Sequence, residues 1–288
     1  MILTTLRRLR DAVPGLPVAV KAVQNYISHQ SANQAGSVAF STLLSMFPLL
    51  LFVSAAAAFV GEPGAVAQMT QRMLEVAPPA VAGALDPVID QVLAQRNRAL
   101  LAVGMIVTLW TASSGTQAIR TALNRAYGVR RGLSFWGARA KVTLFTVVSV
   151  LVTVLVFSSV VILPHAWRLI HSAVGDTEEA LWLHDGVRYG LAFAMLLFWY
   201  ALFYGWLPDV RQRLRTVLPG AIVGALLWLV AAAVLSYVLR SLGKLALVYG
   251  GFAGIVATLI FLYASAATLI FGAEVNGVLM NGARDGDA

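Results

Sequence analysis

The chain of 288 residues contains no cysteine. That excludes a disulfide framework, a thiolate metal centre and a cysteine nucleophile, and it removes thiol usage as a guide to compartment. Charge is scarce too: 12% of residues are charged, against about 25% in an ordinary soluble domain. Histidine occurs four times, at scattered positions, so no imidazole-based metal site is expected. What remains is overwhelmingly apolar, at 59% hydrophobic residues and a mean hydropathy of +0.78. Such a composition indicates a polytopic membrane protein. The formal charge of +8 does not call for nucleic acid, because the basic residues lie between apolar runs rather than in one stripe or tail.

The stretch that organises the rest is Gln34 to Gly61, uncharged from Ala35 onward and long enough to cross a hydrocarbon layer of about 30 Å at about 1.5 Å per residue. Five further apolar segments predict an all-α, six-span helix bundle with spans at about 35–61, 99–119, 142–163, 189–207, 217–239 and 245–273. Before them, residues 1–33 form an N-terminal interfacial segment: leucines at helical spacing accompany Arg7, Arg8 and Arg10, and the run from Val18 to Gln30 is weakly amphipathic around Lys21. Residues 62–97, broken by Pro63, Pro78, Pro79 and Pro87, predict short amphipathic helices on the opposite surface, and 280–288 form a tail. Six spans put both termini on one side. With the termini in the cytoplasm, the basic residues fall two to one inside and most acids fall outside, as the positive-inside rule requires. The acidic loop from His165 to Arg188 lacks tight ligand spacing, so neither a metal nor another cofactor is expected there.

Polar side chains are grouped by helix face. Gln34, Ser37, Ser41 and Ser45 fall within an arc of roughly 80° on the first span; Ser113, Gln117, Arg120 and Asn124 fall within roughly 60° on the second. Polar stripes on membrane helices turn toward neighbouring helices or an aqueous cavity. Two readings follow, a substrate path lined by these residues together with Tyr249 and Tyr263 of the sixth span, or close helix packing. Arg120 is a candidate contact for an anionic headgroup or solute. Glu274, an acid abutting the cytoplasmic end of the sixth span, calls for a cationic partner, with Arg120 or Arg125 the expected one. Gly220 with Gly224, and Gly250 with Gly254, are small-xxx-small pairs suited to close helix approach, within one chain or between copies in a homo-oligomer.

Four segments in order, AFSTLLSMFPLLL, LWTASSGTQAIRTALNRAYGV, LPDVRQRLRTVLPGAIVGALLW and YGGFAGIVATLIFLYASAATLIFGAEVN, resemble the YihY/virulence-factor BrkB family of bacterial inner-membrane proteins, also described as ribonuclease BN-like. The resemblance spans about residues 20 to 280. It implies six spans, a multi-pass inner-membrane location and an envelope-related role, with transport of a lipid or small solute proposed for the family and no catalytic residues to carry over. After the proline of LP, relatives often have a more basic or asparagine-containing turn. This chain has Pro208, Asp209, Val210 and Arg211, which lowers the expectation of a role for that turn.

Metal-assisted phosphodiester cleavage requires clustered carboxylates or histidines. The cytoplasmic-side candidates Asp11, His29, Asp209, Glu274, Asp285 and Asp287 are dispersed, so nuclease activity is not expected. The chain reads as a transporter of a lipid or small solute, with membrane lipids as partners, or alternatively as a structural or assembly factor of the cell envelope.

Overall fold

The structure, a computed structural model, describes residues 16–60, 98–153, 178–241 and 243–286. All of their regular structure is helical: α1 Leu16–Ser28, α2 Ser31–Val60, α3 Arg98–Ala126, α4 Phe135–Thr153, α5 Glu178–Trp206, α6 Leu214–Ser241 and α7 Gly243–Gly286. The expected insert 62–97, His165, His171, Asp176 and the chain ends lie outside the described residues. So do the side chains of Tyr249 and Gly250 and those of Glu178, Glu179, His184 and Asp185. Three helical stretches among the described residues are long and apolar enough to cross a membrane: Phe135–Thr153, Leu214–Val238 and Gly254–Gly282.

Local signals account for the helix ends. Pro17 stands in the first turn of α1, where its missing N–H is one of the unpaired donors of any helix start. The α1–α2 corner is a two-residue turn in which Gln30 takes a left-handed conformation (φ 54°), and its carbonyl then accepts from the N–H groups of Asn33 and Gln34 at 3.0 and 3.2 Å. Gly128 closes α3 at φ 66°, and the Val129 N–H reaches back to the Asn124 carbonyl at 2.9 Å in a Schellman arrangement. At the start of α6, Thr216 Oγ accepts from the Arg213 N–H at 3.2 Å.

α7 is the spine, touching α1, α2, α3 and α6; α2 also packs along α3, and α5 along α6. The packed core lies at one end of the bundle, where Leu123, Tyr127, Val142, Phe145, Tyr204, Leu207, Val217, Ala221 and Ala273 bury one another. Phe145 brings α4 into it, 5.1 Å from Phe203 and 5.5 Å from Trp206 between ring centroids. Away from that end burial stops: among the described residues, no core residue follows Ala225 on α6 and none precedes Ala266 on α7. Leu226, Leu229, Val230 and Val234 of α6 and Ile255, Val256 and Ile260 of α7 are exposed instead. An apolar surface of this extent has no place in water and suits acyl chains.

The helix–helix contacts decide what the glycines do. A Cβ on Gly220 would run into the Gly272 carbonyl and stand 2.5 Å from the Asn276 carboxamide, and one on Gly224 would stand 2.5 Å from the Tyr200 ring. Gly254 differs: a Cβ there meets nothing within 4 Å. The close backbone approach of α6 and α7 thus uses Gly220 with Gly272, rather than Gly220 or Gly224 with Gly254.

Candidate functional site

At the packed end of the bundle, Asp209 gathers donors from three separate segments. Arg120 of α3 approaches it through both Nε, 3.2 Å from Oδ1, and a terminal nitrogen on Oδ2. Asn124, one turn further along α3, donates to Oδ2 at 3.1 Å and accepts the Asp209 backbone N–H at 2.8 Å. Leu133 N–H donates from the α3–α4 loop at 3.2 Å. Lys141 of α4 completes the set, 3.2 Å from Oδ1 and 2.7 Å from the Pro208 carbonyl. The Asp209 side chain is 2% exposed and that of Arg120 7%. A carboxylate so enclosed accepts every donor it needs, and the loop between α5 and α6 is thereby tied to α3 and α4.

Burial alone would raise the Asp209 carboxyl, but the hydrogen bonds from Arg120, Leu133 and Lys141 outweigh it and hold the group below the usual carboxylate range. A carboxyl depressed in the fold contributes stability that is complete above its unfolded value, about 3.9, and is lost as pH falls through the lower folded value. Acidification from neutrality to below about pH 4 is therefore expected to lower the melting temperature of the detergent-solubilised protein. Asp209→Asn is expected to start lower and to lose less stability over that window, as melting curves at stepped pH would record.

A second polar cluster ties α1 to the spine. Glu274 is fully buried and accepts from Ser31 Oγ at 3.0 Å and from His29 Nδ1 at 2.9 Å. A third joins α6 and α7, where Asn276 accepts the Gly220 N–H at 2.7 Å and donates to the Val217 carbonyl at 3.0 Å and the Tyr127 hydroxyl at 3.2 Å. Of the two partners expected for Glu274, Arg120 belongs to Asp209 instead; Glu274 is held directly by His29 and Ser31, and Arg125 acts on it through its charge without a hydrogen bond.

The two polar faces expected to line a path behave differently along their length. Ser45 is buried where α2 crosses α3, bonds to its own-helix Thr42 carbonyl at 2.9 Å, and fills the space a Cβ on Gly115 would need. Ser113 is buried and bonds to the Trp110 carbonyl at 2.9 Å; Gln117 reaches Thr121 on its own helix at 3.5 Å. Gln34, Ser41 and Asn124 are half-buried, while Ser37 is exposed on the same side of α2 as Phe40 and Leu44. At Ser45 and Gly115 the faces of α2 and α3 meet as packed surface. We expect Ser45→Ala to leave the melting temperature within a degree or two. Gly115→Ala, which forces the helices apart, is expected to lower it by several degrees, consistent with an overpacking cost of about 1–3 kcal/mol.

Between α2 and α7 the bundle carries a groove of about 260 Å³ lined by Gly36, Ala39, Phe40, Leu259, Ile260 and Tyr263. Its walls are apolar apart from the Tyr263 hydroxyl, and Phe40 and Tyr263 are exposed along its rim. Gly36 leaves the room: a Cβ there would stand 4.0 Å from the Tyr263 ring. Among the described residues no group of three or more His, Asp or Glu side chains converges as a metal set would.

With this geometry in view, the family model described as Virulence factor BrkB matches residues 22–288. The chain belongs to the virulence factor BrkB family. Within the span of that BrkB match lie Arg120, Asn124, Lys141, Asp209, Glu274 and both walls of the groove. The chain is similar to ribonuclease-like protein YfkH of Bacillus subtilis, at 29% identity over 88% of this chain and 92% of that protein. It is also similar to UPF0761 membrane proteins of Azoarcus sp. and Alkalilimnicola ehrlichii, at 25% and 26% identity over 85% of this chain. It spans 59% and 54% of the length of those two BrkB-like relatives. No solved structure matches the chain. As a BrkB family member with apolar helices of spanning length, it is a membrane protein.

The lowered expectation for the Pro208–Arg211 turn is corrected by Asp209, which holds the cluster together. Its signal was present, since an acid beside Pro208 in an otherwise arginine-rich loop breaks the local sign pattern just as Glu274 does. Asn276 and Gly272 were missed, because each acts through a helix crossing that has no trace in local periodicity.

Proposed function

We propose that the chain is a non-enzymatic, six-span protein of the bacterial inner membrane, with both termini in the cytoplasm, that admits a lipid from the bilayer into the α2–α7 groove and moves it in service of the cell envelope. The observation that carries this reading is the groove itself. It is apolar, it opens between Phe40 and Tyr263, which are exposed along its rim, and its two helices are tied to each other by Ser31 of α2 on Glu274 of α7, while Asn276 holds α7 to α6. A hydrocarbon tail meets in such walls an environment as apolar as the acyl chains it leaves, so its entry from the bilayer exposes no CH₂ to water, and a route beside the bilayer needs no internal aqueous channel. The absence of a carboxylate in the middle of the described spans accords with a path that is not driven by protonation of a buried acid. A second reading, a structural factor of the envelope, is favoured by the packing of Ser45 on Gly115.

Reconstituted vesicles separate the two. With fluorescent phospholipids in one leaflet, the intact protein is expected to accelerate their movement, and Gly36→Phe, which fills the groove beside Tyr263, is expected to abolish that acceleration while leaving the melting temperature near that of the parent. No movement by the intact protein, in a preparation where a known lipid-moving protein is active, would overturn the proposal and leave the structural reading.

A further inference from the structure

Helix α1 has two apolar faces, and the bundle uses one. On the inner face Ala22 is fully buried and packs with Val18 against Val275 and Val278 of α7, while the Tyr26 ring lies 5.9 Å from that of Phe271. Phe271 and Leu279 of α7 and Val223 of α6 pack against the same cluster, so α1 meets α7 at the level of residues 271–279 and is fastened at its far end by His29 on Glu274. On the outer face Val20, Val23 and Ile27 are 49%, 46% and 70% exposed and fall within an arc of roughly 60°. Three branched side chains in one stripe are costly to leave in water.

We propose that this outer stripe of α1 lies in the headgroup and upper acyl region of the adjoining membrane leaflet, so that α1 is an interfacial strut joining the lipid surface to the spine helix. Position and charge select this occupant. The residues of α7 beneath α1, 271–279, lie toward the C-terminal end of the candidate span Gly254–Gly282, which sets α1 at the depth where a span meets the headgroups. α1 contains Lys21 and no acid, and the sequence before it holds Arg7, Arg8 and Arg10 against Asp11 alone. That charge pattern suits an anionic phospholipid surface. A second copy of the chain meeting the same stripe would set like charges against each other. The inference stands apart from whatever occupies the α2–α7 groove, since none of its residues lines that groove.

Because the chain has no cysteine, single substitutions report without background. Val23→Cys, Ile27→Cys and, on the polar side of α1, Ser28→Cys would each carry an environment-sensitive fluorophore in the full chain, reconstituted in phosphatidylethanolamine–phosphatidylglycerol vesicles. Labels at positions 23 and 27 are expected to shift to the blue, to lose most of their emission to phospholipids bearing a nitroxide high on the acyl chain, and to resist aqueous iodide. The label at 28 is expected to respond the opposite way. Equal iodide quenching at all three positions would overturn the proposal. So would energy transfer between labels on different copies at 23 or 27, which would show that another protomer covers the stripe.

Discussion

Replacing Asp209 by alanine is expected to be the most damaging single change in the described part of the bundle. The carboxylate is the shared acceptor of Arg120, Asn124, Lys141 and the Leu133 N–H, and its removal leaves the almost fully buried Arg120 guanidinium with no counter-charge. Breaking a buried pair from one side costs about 3–5 kcal/mol, because the surviving charge has neither water nor partner. For a chain of this size that corresponds to a fall in melting temperature on the order of 10 °C, with accelerated proteolysis in the α3–α4 and α5–α6 loops. Removing both partners, as in Arg120→Met with Asp209→Leu, is expected to cost less than the two single changes added together, since the buried guanidinium is then not stranded, while Lys141, more exposed than Arg120, keeps the Pro208 carbonyl. Thermal unfolding of the four proteins in one detergent measures the cycle. Added salt is expected to change the coupling little, because the pair is shielded from the screening that weakens exposed ions.

The second large effect is expected at the α6–α7 crossing. Gly220→Ala places a methyl group against the Gly272 carbonyl and 2.5 Å from the Asn276 carboxamide. Backbone on one side and a side chain fixed by three hydrogen bonds on the other cannot yield as a flexible side-chain tip would. The helices must separate, at an overpacking cost of about 1–3 kcal/mol, and the 2.7 Å bond from the Gly220 N–H to Asn276 is put at risk with it. Against that, alanine is a better helix former than glycine by up to about 1 kcal/mol. The net sign therefore rests on the crossing, and destabilisation of Gly220→Ala is the expected result. Gly254→Ala, with open space around its new methyl group, is expected to be neutral or slightly stabilising. The same substitution in the same class of sequence motif thus gives opposite outcomes, readable in a single set of melting curves.

That contrast marks where sequence reasoning reaches and where it stops. Helical periodicity and hydrophobic run length are local properties, and they foretold the long apolar helices that make up all the regular structure of the described residues. Gly220–Gly224 and Gly250–Gly254 are indistinguishable as text, yet Gly220 faces the Gly272 backbone and Gly254 faces open space; which residue opposes a glycine is decided by a helix far away in sequence. The charge pairs follow the same logic. Arg120 was legible as a polar residue needing a partner, but the choice between Glu274 and Asp209 depends on how the α5–α6 loop folds back over α3, which no spacing rule encodes. α7 runs on to Gly286, past the expected end of its span at Ala273; beyond that point Val275, Val278 and Leu279 pack against α1, and Asn276 ties the helix to Tyr127 and α6. Of the groove, Tyr263 alone was legible, as one of the residues read as lining a path. The groove arises from the small side chains of Gly36 and Ala39 standing opposite Leu259 and Tyr263, a coincidence of two helices.

The account turns on lipid entering between α2 and α7, and photocrosslinking tests that most directly. A phospholipid carrying a diazirine within its acyl chain, illuminated in vesicles holding the intact protein and analysed by peptide mass spectrometry, is expected to label Gly36 to Phe40 and Leu259 to Tyr263 above the exposed α6 residues Val230 and Val234. Gly36→Phe is expected to remove that excess. Labelling no stronger at the groove than on the outward face of α6, and unchanged by Gly36→Phe, would contradict the account.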